Sequence, residues 1–314
     1  MRLVSLIPVG TKYNFMRFRK FAAVLSIALC VASAGLFVIK GLNYGIDFEG
    51  GILLEIRTPK PADIGNLRDT ISSLRLGQIE LQRFGEDTDV LIRIERQAGG
   101  EEAQNVAVEK VKAALDKSVE LRRTEFVGPK VSAELVEAGV TAVLMALGAM
   151  LIYIWFRFEW QFGVGAVIAL AHDVIMTIGV FSLLGLEFNL STVAAILTIA
   201  GYSINDTVVV YDRVRENLRK YKVMPLGEII NLSLNDTLSR TLLTSITTLI
   251  ALLILFFWGG EVIKGFSFGM IWGVLVGTYS SIFIATPLLI YMNLRRSIFD
   301  DEEDTEGSPA PDAP

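Results

Sequence analysis

The chain has 314 residues, 52% of them hydrophobic, with a mean hydropathy of +0.49. That is too apolar for an ordinary soluble protein of this size, and several runs are long enough to cross a bilayer, so the class is a polytopic membrane protein. The net charge of −5 says little about partners, because residues 301–314 hold six acids and no base and the remainder is nearly neutral. A single cysteine, Cys30, excludes an intramolecular disulfide. A single histidine, His172, argues against a structural zinc site, and no G-x-x-x-x-G-K-[ST] motif points to ATP. No metal and no organic cofactor is expected.

Residues 1–20 are basic, with Arg2, Lys12, Arg17, Arg19 and Lys20, and 21–40 form the first apolar span. A cleaved signal peptide is the competing reading, with Ala32-Ser33-Ala34 as the small-residue site. Apolar character continues through Leu36-Phe37-Val38-Ile39, which favours an uncleaved helix with its basic end in the cytoplasm.

Residues 41–137 are the only long hydrophilic segment. After the turn-rich Gly45-Ile46-Asp47-Phe48-Glu49-Gly50-Gly51, the pattern predicts a strand at Ile52–Arg57, a helix at Pro61–Leu74, and strands at Ile79–Phe84 and Val90–Glu95 joined by a turn over Gly85–Asp89. A helix at Glu101–Lys117 and a strand at Val119–Val127 follow. The order β-α-β-β-α-β predicts a small α+β ferredoxin-like domain. It has neither His nor Cys, so binding or force transmission suits it better than catalysis.

Five further spans are expected at 138–156, 163–184, 190–211, 240–258 and 267–293. Arg157 follows the second span, Arg213, Arg215, Arg219, Lys220 and Lys222 the fourth, and Arg295 and Arg296 the sixth, while the opposite loops are nearly free of net positive charge. The positive-inside rule then puts both termini in the cytoplasm and the 41–137 domain in the periplasm. Trp155, Trp160, Tyr211, Trp258 and Tyr291 read as interfacial anchors. The 212–239 loop is expected to carry an amphipathic helix, Leu226–Leu238, lying on the membrane surface. Residues 294–314 read as a disordered acidic tail.

Asp206 stands inside the fourth span, where a carboxylate costs about 2.5–3.5 kcal/mol on the insertion scale and usually marks an ion or proton path. Tyr202 and Asn205, with Thr198, form a polar stripe beside it, and Gly201 would let another helix come close. A structural acid bonded to hydroxyls or water is the bland alternative. Asp173, beside His172 in the third span, is either a relay element or a tie between helices. Arg240 opens the fifth span and either snorkels to headgroups or reaches Asp206; Thr244, Thr247 and Thr248 continue its face, as a water-holding stripe or as ordinary back-bonded threonines. If Arg240 reaches Asp206, protonation of the acid would release the pair and let the helices part. Gly269, Gly273, Gly277 and Ser281 form a small-residue packing face on the sixth span.

The Gly45–Gly51 motif, Ala171-His172-Asp173-Val174, the run from Gly201 through Asn205-Asp206 to Asn217, and Leu238-Ser239-Arg240-Thr241 through Ser245 together resemble the SecF branch of the SecD/SecF family of protein-export membrane subunits. The resemblance covers the chain except its acidic tail. It implies an RND-type six-helix half with a periplasmic domain after the first helix, no enzymatic activity, and partnership with SecD, the SecYEG channel, YajC and the translocating preprotein in the inner membrane. It implies that a proton or sodium gradient drives late, ATP-independent steps of translocation, with Asp206 and Arg240 in the ion pathway, Asp173 at a motif position, and Asp47, Gly50 and Gly51 in a structural motif. A small RND-type exporter of lipids or drugs and an assembly scaffold are the competing functions.

Overall fold

The structure, a computed structural model, describes residues 11–292 and Leu294. Arg2, Arg295, Arg296 and the acidic tail lie outside the described residues. In chain order the elements are a 3-10 turn (Phe15–Phe18), α1 (Arg19–Lys40), β1 (Asn43–Tyr44), α2 (Ile46–Glu49), β2 (Gly51–Arg57), α3 (Ile64–Ser72), β3 (Ile79–Phe84), β4 (Glu86–Ile94), α4 (Gly100–Ala114), β5 (Glu120–Val127), α5 (Pro129–Arg157), α6 (Trp160–Leu184), β6 (Glu187–Phe188), α7 (Leu190–Lys220), α8 (Leu226–Trp258), a second 3-10 turn (Glu261–Ile263), α9 (Lys264–Ser280), a π-helical turn (Ser281–Ala285) and α10 (Thr286–Tyr291). Six helical segments among the described residues are long and apolar enough to cross a membrane.

Between the first and second spans lies the four-stranded antiparallel sheet β3-β4-β2-β5, the ferredoxin-like order. Strand alternation turns Ile52, Leu54 and Ile56 of β2 and Val90, Ile92 and Ile94 of β4 to one face, where they pack with Ile71, Val108 and Val111 of α3 and α4. Asp63 starts α3 by accepting from the Asn66 amide at 3.1 Å. β4 begins at Glu86, so the hairpin turns around Gly85, at φ 78°, rather than over the whole of 85–89.

The soluble domain is fastened to the helices at the Gly45–Gly51 motif. Asp47 Oδ2 accepts from the Leu190 amide at 2.9 Å, satisfying a free donor at the start of α7 beside the Asn189 capping box. Gly50 and Gly51 have φ of 73° and 119°, and a Cβ on Gly51 would stand 2.7 Å from the Ile94 carbonyl oxygen. β1 pairs in parallel with β6, and Arg93 reaches from the sheet to Glu187 of β6 at 3.4 Å. Burial pushes the Glu187 carboxyl up from its ordinary value, although Arg93 pulls it down.

In the helical layer α6, α7 and α9 form the centre, while α5 and much of α1 and α8 show apolar side chains outward, as a lipid solvent permits. Gly269 lies against Ala195 and Phe181, Gly273 against Ile199 and Gly277 against Ser203, so α9 sits close on α7. Gly201 looks outward instead, and a Cβ there would meet only Met150 Cε, at 4.0 Å. α1 runs unbroken through Ala32-Ser33-Ala34, with Ser33 packed on Gly179 of α6.

Expected boundaries of the spans differ as well. α5 begins at Pro129, well before 138, so its first turns belong to the segment expected to be hydrophilic. α7 does not stop at Tyr211 but runs to Lys220, because Val214 and Leu218 are buried and no Gly or Pro intervenes. The expected surface helix 226–238 and the fifth span are one helix, α8. Its first turns bury Ile229, Ile230, Ser233 and Leu234 against the bundle end with Met16 and Leu218, so they do not lie on a headgroup layer. Tyr211 is also no interfacial anchor. It is fully buried against Phe158 and Phe162, and its hydroxyl donates to the Ala285 carbonyl at 3.1 Å.

Candidate ion-coupling site

Asp206 is 6% exposed, on the face of α7 turned toward α8. Its Oδ1 accepts from Thr241 Oγ1 at 2.9 Å, while its buried Oδ2 has no hydrogen-bond partner among the described residues. A carboxylate has about four lone-pair positions, so with one bond made most of its accepting capacity is open in the apolar interior. One helical turn toward the soluble domain, the Tyr202 hydroxyl donates to Ser245 Oγ at 3.3 Å, and Ser245 is 2.9 Å from Thr278 Oγ1. Thr241 and Ser245 continue, at four-residue spacing, the buried hydroxyls Ser233 and Thr237 on the inward face of α8.

The expected stripe lies one residue away from that face. Thr244 donates to the Arg240 and Thr241 carbonyls, and Thr247 to the Leu243 and Thr244 carbonyls, all within α8. Thr244 is exposed and Thr248 half-buried, and neither meets Asp206. Asn205 is exposed beside the buried Asp206, and Thr198 back-bonds to Ala194, so of the α7 stripe only Tyr202 joins the inter-helix network. Arg240 is exposed and makes no ion pair among the described residues; its charge acts on Asp206 only through space. Asp212, next to the end of the apolar run, pairs with Arg157 at 2.6 Å.

Asp173 forms a second polar centre. It is fully buried, with Oδ1 2.9 Å from His172 Nδ1 and Oδ2 accepting from Ser203 Oγ at 2.5 Å and Ser280 Oγ at 2.8 Å. One carboxylate thereby ties α6 to α7 and to the end of α9. The π-helical turn begins at the next residue, Ser281, whose hydroxyl lies 2.8 Å from Thr207 Oγ1. Ser280 and Ser281 thus hold two different points of α6 and α7, and Thr207 is the chain neighbour of Asp206. π turns often mark such places. Ser203, Thr207, Thr241, Ser245, Ser280 and Ser281 are the site residues that motif reading passes over. Their signal is that small hydroxyls recur on the inward faces of helices otherwise lined by Ala, Ile and Leu.

A bundle of six spans with a carboxylate–hydroxyl network at its centre, and a ferredoxin-like domain inserted after the first span, defines an RND-type membrane half. The family model for the C-terminal part of SecD/SecF protein export membrane proteins matches residues 107–295, and the SecD/SecF GG motif model matches residues 35–62. The chain belongs to the SecD/SecF family of protein-export membrane proteins. It is 46% identical over 309 residues to the protein translocase subunit SecF of Rhodobacter capsulatus, covering 94% of this chain and 93% of that one. It is 48% identical over 292 residues to the SecF of Rickettsia rickettsii, covering 91% and 94%. The crystal structure of SecDF from Thermus thermophilus superposes with a TM-score of 0.84 at 37% identity, and a SecDF in a super-membrane-facing form with 0.67 at 34%. These matches cover 92% and 95% of this chain but only 40% and 41% of the SecDF chains, so the chain spans less than half the length of those structures.

Proposed function

We propose that the chain is the SecF-side half of an ion-driven machine that, with SecD, promotes late, ATP-independent steps of preprotein translocation at the SecYEG channel, in company with YajC. Asp206 is the ion-binding carboxylate, H⁺ or Na⁺ is the coupling ion, and the chain acts mechanically, with no catalytic site and no other cofactor. It sits in the bacterial inner membrane with both termini in the cytoplasm and the 41–137 domain in the periplasm, where the preprotein emerges. One observation carries this reading: a buried carboxylate in a spanning helix keeps one oxygen on Thr241 and leaves the other open. A structural acid would have both oxygens satisfied, as Asp173 has. Arg240 is the cation that an altered helix arrangement would bring to the open oxygen.

The test is ion flux into proteoliposomes that hold SecD and this chain, followed with a pH-sensitive and a sodium-sensitive dye. Wild type carries one of the two ions and Asp206→Asn carries neither. Equal flux through the Asn variant would remove Asp206 from the path and leave a scaffold.

A further inference from the structure

We propose that a pocket at the ends of α5 and α7 remote from the soluble domain binds the headgroup of one anionic phospholipid. The pocket, about 510 Å³, is lined by Arg157, Asp212, Arg215, Glu216, Arg219 and Lys220. Its charges divide unevenly. Asp212 is held by Arg157 at 2.6 Å and Glu216 by Arg213 at 2.7 Å, so both acids of the lining are already paired. Arg215 leans to Glu159 at 3.6 Å and donates to the Arg157 carbonyl at 3.3 Å. Arg219 and Lys220 have no acidic partner among the described residues, and Lys220 rests over the Tyr221 ring. Two uncompensated cations therefore converge on one concavity.

Its place along the helices selects a lipid over a soluble anion. Trp155 and Phe156, the residues just before Arg157, are 82% and 89% exposed, and Trp160 across the short α5–α6 turn is exposed as well. Large aromatic side chains at a span end settle at the headgroup level. From Asp212, next to the end of the apolar run, to Arg219 the helix rises about 10 Å, so the cations flank the zone where lipid phosphates lie. Favourable interaction with the helix C-terminal dipoles accounts for basic residues there, but not for their convergence on one cavity. Basic pockets between spanning helices are where anionic headgroups bind.

The full chain in detergent would be titrated with phosphatidylglycerol, phosphatidylcholine or inorganic phosphate and weighed by native mass spectrometry. Wild type should retain one phosphatidylglycerol with a preference over phosphatidylcholine on the order of tenfold. Arg219→Gln with Lys220→Gln should abolish the preference. Arg219→Lys keeps the charge and should keep it, as should Lys130→Gln at the other end of α5. Equal retention of the two lipids by wild type, or a preference that survives the double Gln substitution, would overturn the site. Displacement of the lipid by millimolar inorganic phosphate would show a soluble-anion site and overturn the lipid assignment.

Discussion

Thr241 and Thr244 stand one helical turn apart on α8 and serve different partners. Thr241 donates its hydroxyl hydrogen bond to Asp206, whereas Thr244 donates to carbonyls of its own helix. Losing a hydrogen bond to a charged group costs about 1.5–3 kcal/mol, so Thr241→Val should slow gradient-driven preprotein release by roughly tenfold or more. Thr244→Val should leave it within about twofold, since no inter-helix bond is lost. Equal effects in the same vesicle assay would put the working hydroxyl on the outer face. The distinction was present in the sequence. Counting from Arg240 selects 244, 247 and 248, but counting from Ile230 through Leu234 and Leu238 reaches Thr241 and Ser245. A break at residue 239 would separate the two counts, but α8 runs unbroken through it. In the soluble domain, the Arg57 guanidinium bonds Asp89 through both oxygens at 2.6 Å and holds its carboxyl below the usual value. A depressed folded-state value gives stability that is present above the unfolded value of about 3.9 and lost as pH falls through the folded one. Hydrogen exchange of β2 and β4 should therefore stay slow from pH 7 to 5 and quicken below about pH 4, and Asp89→Asn should remove that acid step.

At the scale of elements, the contact of α9 with α7 depends on side chains that are absent. A Cβ on Gly273 would drive into Ile199, while one on Gly148 of α5 would meet nothing within 4 Å. Gly273→Ala should destabilise the bundle by about 1–3 kcal/mol as overpacking, and Gly148→Ala should be neutral or stabilise by up to about 1 kcal/mol through helix propensity. Thermal unfolding in detergent separates the two, and a neutral Gly273→Ala would deny the close approach. The Glu187 junction carries the opposite pH sign to Asp89. Its folded-state value is raised, so the folded chain holds the proton more tightly and the junction strengthens as pH falls toward the ordinary glutamate range. Glu187→Gln should be more stable than wild type at pH 7 and should lose the gain on acidification. Of these elements, the spacing of glycines on α9 was readable at once, as were the strands of the sheet. The π turn was not, because nothing in Ser280-Ser281-Ile282-Phe283 distinguishes an i+5 bond from an i+4 bond. Nor could a motif show Asp47 capping a helix that begins at Leu190, a contact made only once both ends of the insertion fold together.

For the whole molecule, the six spans follow from apolar run length and the family follows from motifs around Asp47, Asp173, Asp206 and Arg240. What sequence could not supply is which charges meet. Asp173 has both oxygens bonded and joins three helices; Asp206 has one oxygen bonded; Arg240 stands outside. That asymmetry makes Asp173 the fixed point and Asp206 the variable one. It also leaves the outward faces of Gly201 and Asn205 on the same helix open to whatever partner completes the path. The central question is whether the state of this one carboxylate is tied to protein export. The most direct measurement is the rate at which a late-stage preprotein intermediate is released in inverted membrane vesicles, with and without an imposed ion gradient, for wild type and Asp206→Asn. The gradient should speed release in wild type and leave the Asn variant at the gradient-free rate. The same stimulation in both would contradict an ion-coupling role for Asp206.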